Sequence, residues 1–147
     1  MKTLPQGVTG FDSPRNIRPW SSIRKPIIQA IYDSKASIIA EFPCDTAAEP
    51  NYHFIQTSVV SILVHESFPF LAFTSSTDVP YLEIDFCEWA SFNQSILDIT
   101  GWKILPIDFL NLPITEQITE NLSSTEHNQI KYWKPKKIGY LIFNNWD

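Results

Sequence analysis

Cys44 and His53 are the first residues in this sequence with the types to do chemistry together. They would act as a nucleophilic thiol and a general base if the fold closed the loop between them. Asp85 is the carboxylate available to orient such a histidine. A second pair is Glu83 and Asp85. Two apart on a strand, they would share one face roughly 7 Å apart, a spacing suited to acid–base catalysis or to holding a hard cation. Each pair also has a plainer reading. A cysteine beside a polar loop is most often a small buried hydrophobe, and alternating carboxylates most often make a solvated strand face. His65 ends an apolar run and His127 falls on a helical stretch, neither in a ligand pattern.

What is missing narrows the chemistry further. With only four glycines (Gly7, Gly10, Gly101, Gly139) there is no phosphate loop and no dinucleotide fingerprint, and there is no CxxC or HExxH. No metal and no cofactor is expected. The balance is against an enzyme; the alternative kept open is a small hydrolase or metal-dependent enzyme using Glu83, Asp85 and a histidine.

The elements that must position these residues follow from periodicity. Pro5, Gly7, Gly10, Pro14 and Pro19 make the first twenty residues an irregular lead-in. Ser21 or Ser22 can cap a helix to about Ser34, with Ile23, Ile27, Ala30 and Ile31 at the helical period and Pro26 tolerable only in the first turn. Ala36 to Phe42, Tyr52 to His65 (one bent strand or two), Phe70 to Thr74 and Tyr81 to Cys87 read as an antiparallel meander of about four strands. In the last of these, Leu82, Ile84 and Phe86 would face the core, with Tyr81, Glu83, Asp85 and Cys87 opposite.

Ser91 would then cap a short helix carrying Phe92, Ile96, Leu97 and Ile99, stopped by Gly101, and Trp102 to Leu105 would form a short strand. Residues 107–133 read as mostly helical, with a capping box from Ser123 and Glu126 and an end before Pro135. Residues 136–145 fit a helix slightly better than a strand. The expected fold is therefore α+β: an antiparallel sheet of about four strands with N-terminal and C-terminal helices packed on it, in a single domain over residues 1–147.

A chain of 147 residues with 44% apolar and 14% aromatic content can bury a core without disulfides. No apolar run approaches the ~20 residues that cross a bilayer, and Met1 to Pro5 lacks a secretory core. Cys44 and Cys87 read as thiols of a reducing cytoplasm. Charge is distributed unevenly. Residues 1–35 carry +4, residues 103–147 carry 0, and residues 36–102 hold nine acids with no Lys or Arg, giving the net −5. Such a centre repels nucleic acid and attracts cationic proteins. Its candidate partner-binding residues are Asp78, Glu83, Asp85 and Glu88, with Trp89 as an aromatic anchor among them, and the loop with Asp45 and Glu49 as the next acidic stretch. The basic residues Arg15, Arg18, Arg24, Lys25 and Lys131 to Lys137 are too dispersed for a nucleic-acid stripe.

Two segments carry a resemblance. Leu4-Pro5-Gln6-Gly7-Val8-Thr9-Gly10-Phe11, together with Tyr132-Trp133-Lys134-Pro135, Ile138-Gly139 and Ile142-Phe143-Asn144-Asn145-Trp146-Asp147, is similar to small bacterial proteins that look like immunity proteins of polymorphic toxin and contact-dependent growth inhibition systems. The resemblance implies a protein that binds and neutralises a cognate toxin domain, often a cationic nuclease. It assigns no role to any single residue. The expectation is a cytoplasmic immunity protein with a toxin partner and with neither nucleic acid nor membrane as partner. A general adaptor or ligand-binding module is the other alternative.

Charge alone generates the first test. Duplex DNA and RNA should show no mobility shift with this protein at physiological salt, and micromolar binding would overturn the charge argument.

Overall fold

The computed structural model describes residues 1–12, 20–44 and 50–146. Pro14, Arg15, Arg18 and Pro19 of the lead-in, Asp45 and Glu49 of the polar loop, Asp147 and the side chains of Ile96 and Ile99 lie outside the described residues. The element order is α1 (Trp20–Asp33), β1 (Ile38–Phe42), β2 (Tyr52–Thr57), β3 (Ser61–His65), β4 (Phe70–Thr74), β5 (Phe86–Cys87), α2 (Ser95–Thr100), β6 (Lys103–Ile104), α3 (Ile107–Leu110), α4 (Glu116–Thr119), α5 (Ser124–Trp133) and α6 (Ile138–Ile142). The fold is α+β. Its sheet runs β1-β2-β3-β4-β5 in antiparallel order, and β6 adds to β4 in parallel. It is larger than the four strands expected because β5 and β6 each supply a two-residue pairing along β4.

Both faces of the sheet are covered, which is why β3 and β4 are buried at every position. On one face Ile55, Ile62, Val64, Leu71 and Phe73 pack with Ile23, Ile27, Ala30 and Ile31 of α1 and with Leu97 and Trp102. On the other, Tyr52, Phe54, Leu63, Phe70 and Ala72 pack against the N-terminal lead-in and the C-terminal helices. The alternation of these two sets along each strand is the period of two that a strand requires.

Local chemistry explains the boundaries. The Tyr52–His65 run splits into two strands because the Thr57 hydroxyl closes a tight turn. It donates to Val60 O (2.5 Å) and accepts from the Val59 and Val60 amides (3.2 Å each). In α1, Pro26 lies in the second turn, beyond the first turn expected for it. Burial of the Ile23–Ile31 stripe against the sheet offsets the ~3 kcal/mol that an interior proline costs. Gly101 ends α2 with φ 81°, a left-handed stop. Ser91 does not cap that helix; its hydroxyl accepts the Trp89 indole N–H (3.1 Å), and α2 begins after Gln94. Residues 138–142 are helical, and Gly139 is required there: a Cβ would collide with the Phe86 ring and come within 3.0 Å of the Leu110 carbonyl oxygen.

The strand expected over Tyr81–Cys87 is reduced to Phe86–Cys87. β4 is five residues long, and its outer edge is shared between β5 at Phe73–Thr74 and β6 at Phe70–Leu71. That leaves residues 81–85 no ladder to join. Ile84 and Phe86 still point inward, but Leu82 is 46% exposed, so the alternating face does not form as expected.

The capping box of α5 does more than cap. Glu126 is completely buried, and its carboxylate accepts from Ser123 N (3.1 Å), Gly7 N (2.8 Å), Thr9 N (3.2 Å) and Thr9 Oγ1 (2.5 Å). Close by, Asn51 donates to Val8 O (3.1 Å) and Ile142 O (2.9 Å) and accepts from Asn144 N (2.9 Å). Asn144 donates in turn to Thr9 O (2.9 Å). His65 completes this group. Its Nδ1 accepts from the Ser67 and Phe68 amides (3.1 Å each), which leaves Nε2–H to donate to Val8 O (2.7 Å).

That pattern fits only a neutral imidazole, and burial pushes the His65 pKa down to about 4. A protonated Nδ1 would meet two donors. Because the folded value lies below the unfolded ~6.5, the stabilisation is complete above pH ~6.5 and is lost as pH falls to about 4. The loss amounts to roughly 3 kcal/mol by linkage. Denaturant unfolding between pH 7.5 and 4 should show this slope, reduced in His65→Gln; equal slopes in the two proteins would exclude His65 as its source.

Candidate functional site

Of the carboxylates singled out in the sequence, Asp78, Glu83 and Asp85 lie on the segment that leaves β4 and returns as β5, and Glu88 lies just past β5. Asp78, Glu83, Asp85 and Glu88 are all exposed. Asp85 is fixed by its backbone, whose carbonyl accepts from Ser75 N (3.2 Å) and Thr74 Oγ1 (2.9 Å). Glu83 and Asp85 are not paired on a strand face, because that part of the chain forms no strand. Glu83 instead lines a cleft of about 140 Å³ with Lys134, Lys136 and Trp133, so its surroundings are cationic. The sequence could not reveal this, since those lysines are some fifty positions away.

Trp89 is 7% exposed and is a core residue. Its ring packs on Phe73 (5.7 Å between centroids, 70°) and Phe92 (5.0 Å, 47°). It also forms one wall of a cavity of about 260 Å³ whose lining includes Phe73, Phe92, Ile104 and, at the charged end, Glu88. An anchor projecting into a partner is therefore not what Trp89 provides. It shapes a pocket into which a partner's side chain could enter.

Two more of the nine central acids are engaged within the fold. Glu41 takes both Arg24 Nε (2.9 Å) and Arg24 Nη2 (2.7 Å), and the guanidinium holds its carboxyl below the ordinary range. The Glu66 carboxyl is pushed up by burial, an effect its bond from Cys44 partly opposes. Among the described residues the acids of the central segment that stay exposed are Asp78, Glu83, Asp85, Glu88 and Asp98, of which Glu83 and Asp98 each share a cleft with a lysine.

The structure does bring Cys44 and His53 together. Cys44 Sγ lies 3.4 Å from His53 Nδ1 and 3.7 Å from Nε2, and the Cys44 amide donates to Nδ1 (2.9 Å). Asp85 does not orient this histidine. β3 and β4 stand between β2 and the β5 edge, on the order of 14 Å at ~4.8 Å per strand. The nearby carboxyl is that of Glu66, whose Oε2 accepts from Cys44 Sγ at 3.8 Å. Glu66 follows His65 at the end of β3, and the antiparallel register that pairs Tyr52 with His65 carries it to the His53 end of β2. Trp20, at the start of α1, stacks on the His53 ring at 4.3 Å and 25°. Among the described residues no group of three or more His, Cys, Asp or Glu is arranged to hold a metal ion, and no helix is long and apolar enough to cross a membrane.

As a core aromatic, Trp89 should matter for stability whether or not a partner is present. Trp89→Ala should lower unfolding stability by about 3–5 kcal/mol in denaturant titration, whereas a residue that served only as a surface anchor would cost almost nothing. No family model matches this chain, and neither a curated protein nor a solved structure matches it, so the functional reading stands on the acidic segment and the thiol group themselves.

Proposed function

We propose that this chain is a cytoplasmic immunity protein that neutralises a cationic toxin domain, a nuclease, by stoichiometric binding on the segment from Asp78 to Glu88. The observation that carries this reading is that Asp78 and Asp85, on the β4–β5 connection, and Glu88, just past β5, are exposed and that none takes part in an ion pair among the described residues. Carboxylates left without a cation of their own raise the rate of encounter with a basic surface and discriminate against acidic ones. A nuclease must present such a surface to hold phosphate. The cavity beside Glu88 supports the reading further. Its apolar wall of Phe73, Trp89 and Phe92 fits the aliphatic stem of a Lys or Arg, with Glu88 placed to meet the charged head. The resemblance of the chain's two end segments points the same way.

The enzyme reading through Glu83, Asp85 and a histidine has less support. The two carboxylates share no strand face, Glu83 adjoins lysines, and His65 is enclosed with both ring nitrogens engaged.

Affinity capture on the full chain from its native strain, followed by binding kinetics at two ionic strengths, tests the proposal. The captured protein should be basic, and its association rate should fall as salt rises. Reversing Asp85 and Glu88 together to Lys should slow association by about tenfold or more and flatten the salt dependence. Circular dichroism should be unchanged, because both side chains are exposed. A folded double variant that binds with unaltered rates would remove this segment from the interface.

A further inference from the structure

Two short strands share the outer edge of β4 and run toward each other along it. β5 pairs Phe86 with Thr74 and Cys87 with Phe73, while β6 pairs Lys103 with Phe70 and Ile104 with Leu71. Continued by one residue, each would claim Ala72, so both chains have to leave the sheet there. The cavity of about 260 Å³ is the space that opens between them. Glu88 and Trp89 line it from the β5 side, and Leu105, Pro106 and Ile107 line it from the β6 side. It is smaller than the ~300–1,000 Å³ of pockets for drug-sized ligands, a size that suits one inserted side chain and not a cofactor.

The polar chemistry of this cavity is one-sided. Among the described residues no Lys or Arg lines it, and Glu88 takes part in no ion pair. Gln94, also in the lining, stands at the N-cap of α2 without a side-chain cap hydrogen bond, so its amide oxygen is not spent on the helix. The Trp89 indole N–H is given to Ser91 (3.1 Å), which leaves an aromatic wall without that donor. The Phe73, Trp89 and Phe92 rings in this wall lie at 47° to 70° to one another. An anion would meet Glu88, and a neutral ligand would leave that carboxylate without a partner. A guanidinium meets both demands. It is planar and weakly hydrated, it lies well against aromatic rings, and its fixed fork of donors can reach two acceptors at once. An ammonium is a compact, strongly hydrated point charge and does neither as well.

We propose that this cavity is a guanidinium site that takes one arginine side chain of the basic partner. Glu88 and Gln94 accept from its head, and the aromatic wall covers its stem. The identity of the occupant rests on the binding reading above, whereas the site and its preference for arginine over lysine are tested without the partner. The isotope-labelled full chain is titrated with N-acetyl-arginine methylamide and with the matching lysine compound, and both are followed by nuclear magnetic resonance. The arginine probe should shift the Trp89 indole and Gln94 side-chain signals saturably, with a Kd of about 1 mM. The lysine probe should bind about fivefold more weakly or worse. Glu88→Gln should weaken the arginine probe about tenfold, and Gln94→Leu a few-fold. Both positions are exposed, so both variants should stay folded, which the amide spectrum reports directly. Equal affinity for the two probes, no saturable shift at Trp89 and Gln94, or an unchanged affinity in Glu88→Gln would overturn the site. Such a failure, with the salt-dependent association of a captured partner intact, would leave the immunity reading standing. A partner bound through the acidic segment should displace the arginine probe; one that leaves the probe in place would overturn the assignment of the occupant.

Discussion

A carboxylate with no exposure to solvent must have all its acceptor sites used, or it destabilises the fold around it. Glu126 meets that requirement by drawing Gly7 and Thr9 of the lead-in onto the first turn of α5. The irregular N-terminal segment has no ladder of its own, so these bonds, with those of Asn51, Asn144 and His65 to Val8 and Thr9, are what hold it over the sheet. Leu4 and Val8 are thereby sealed into the core beside Leu141, Ile142 and Phe143. Taking away one member would leave several buried amides or carbonyls unpaired, each worth about 1–3 kcal/mol. The two sequence segments that carry the resemblance to immunity proteins are the two that meet here. The contacts they make here are architectural.

The same constraint shows what the sequence made legible. Elements set by local rules were readable: the Ile23–Ile31 stripe of α1, the Gly101 stop and the Ser123–Glu126 capping box, whereas residues 136–145 fitted a helix only slightly better than a strand. Elements set by competition for a partner were not. Tyr81 to Cys87 alternates well enough for a strand, yet β4 has room for only two of its residues. Likewise Ser91 is a good N-cap by type, but the nearby Trp89 indole claims its hydroxyl first. A capping box is visible in one sequence, but that its glutamate would also bind residues more than a hundred positions away is not.

The candidate site divides along the same line. Counting charges found the acidic centre, and strand alternation put Glu83 and Asp85 together within it. Packing separates its members: Glu41 is held by Arg24, Glu66 is drawn inward, and Glu83 faces the lysines of the α5 end. Among the described residues what remains is a smaller field on Asp78, Asp85 and Glu88, with Asp98 beside Lys103, and a pocket that counting could not show. Cys44 and His53 were identifiable by type, whereas Glu66 was not. It joins them only through the β2–β3 register, and Asp85 is kept away by the width of the intervening strands.

The two groups are nonetheless not isolated from one another. The connection between β4 and β5 runs back across the sheet before returning. Pro80 accepts the Tyr52 hydroxyl (3.2 Å) over β2, and Val79 helps to wall the Cys44 cleft. Asp78, next to Val79, and Asp85, beside β4, therefore sit at different places along one strip of chain. Asp78, Val79 and Asp85 thus belong to one connection, residues 75–85, in which no residue lies in a strand.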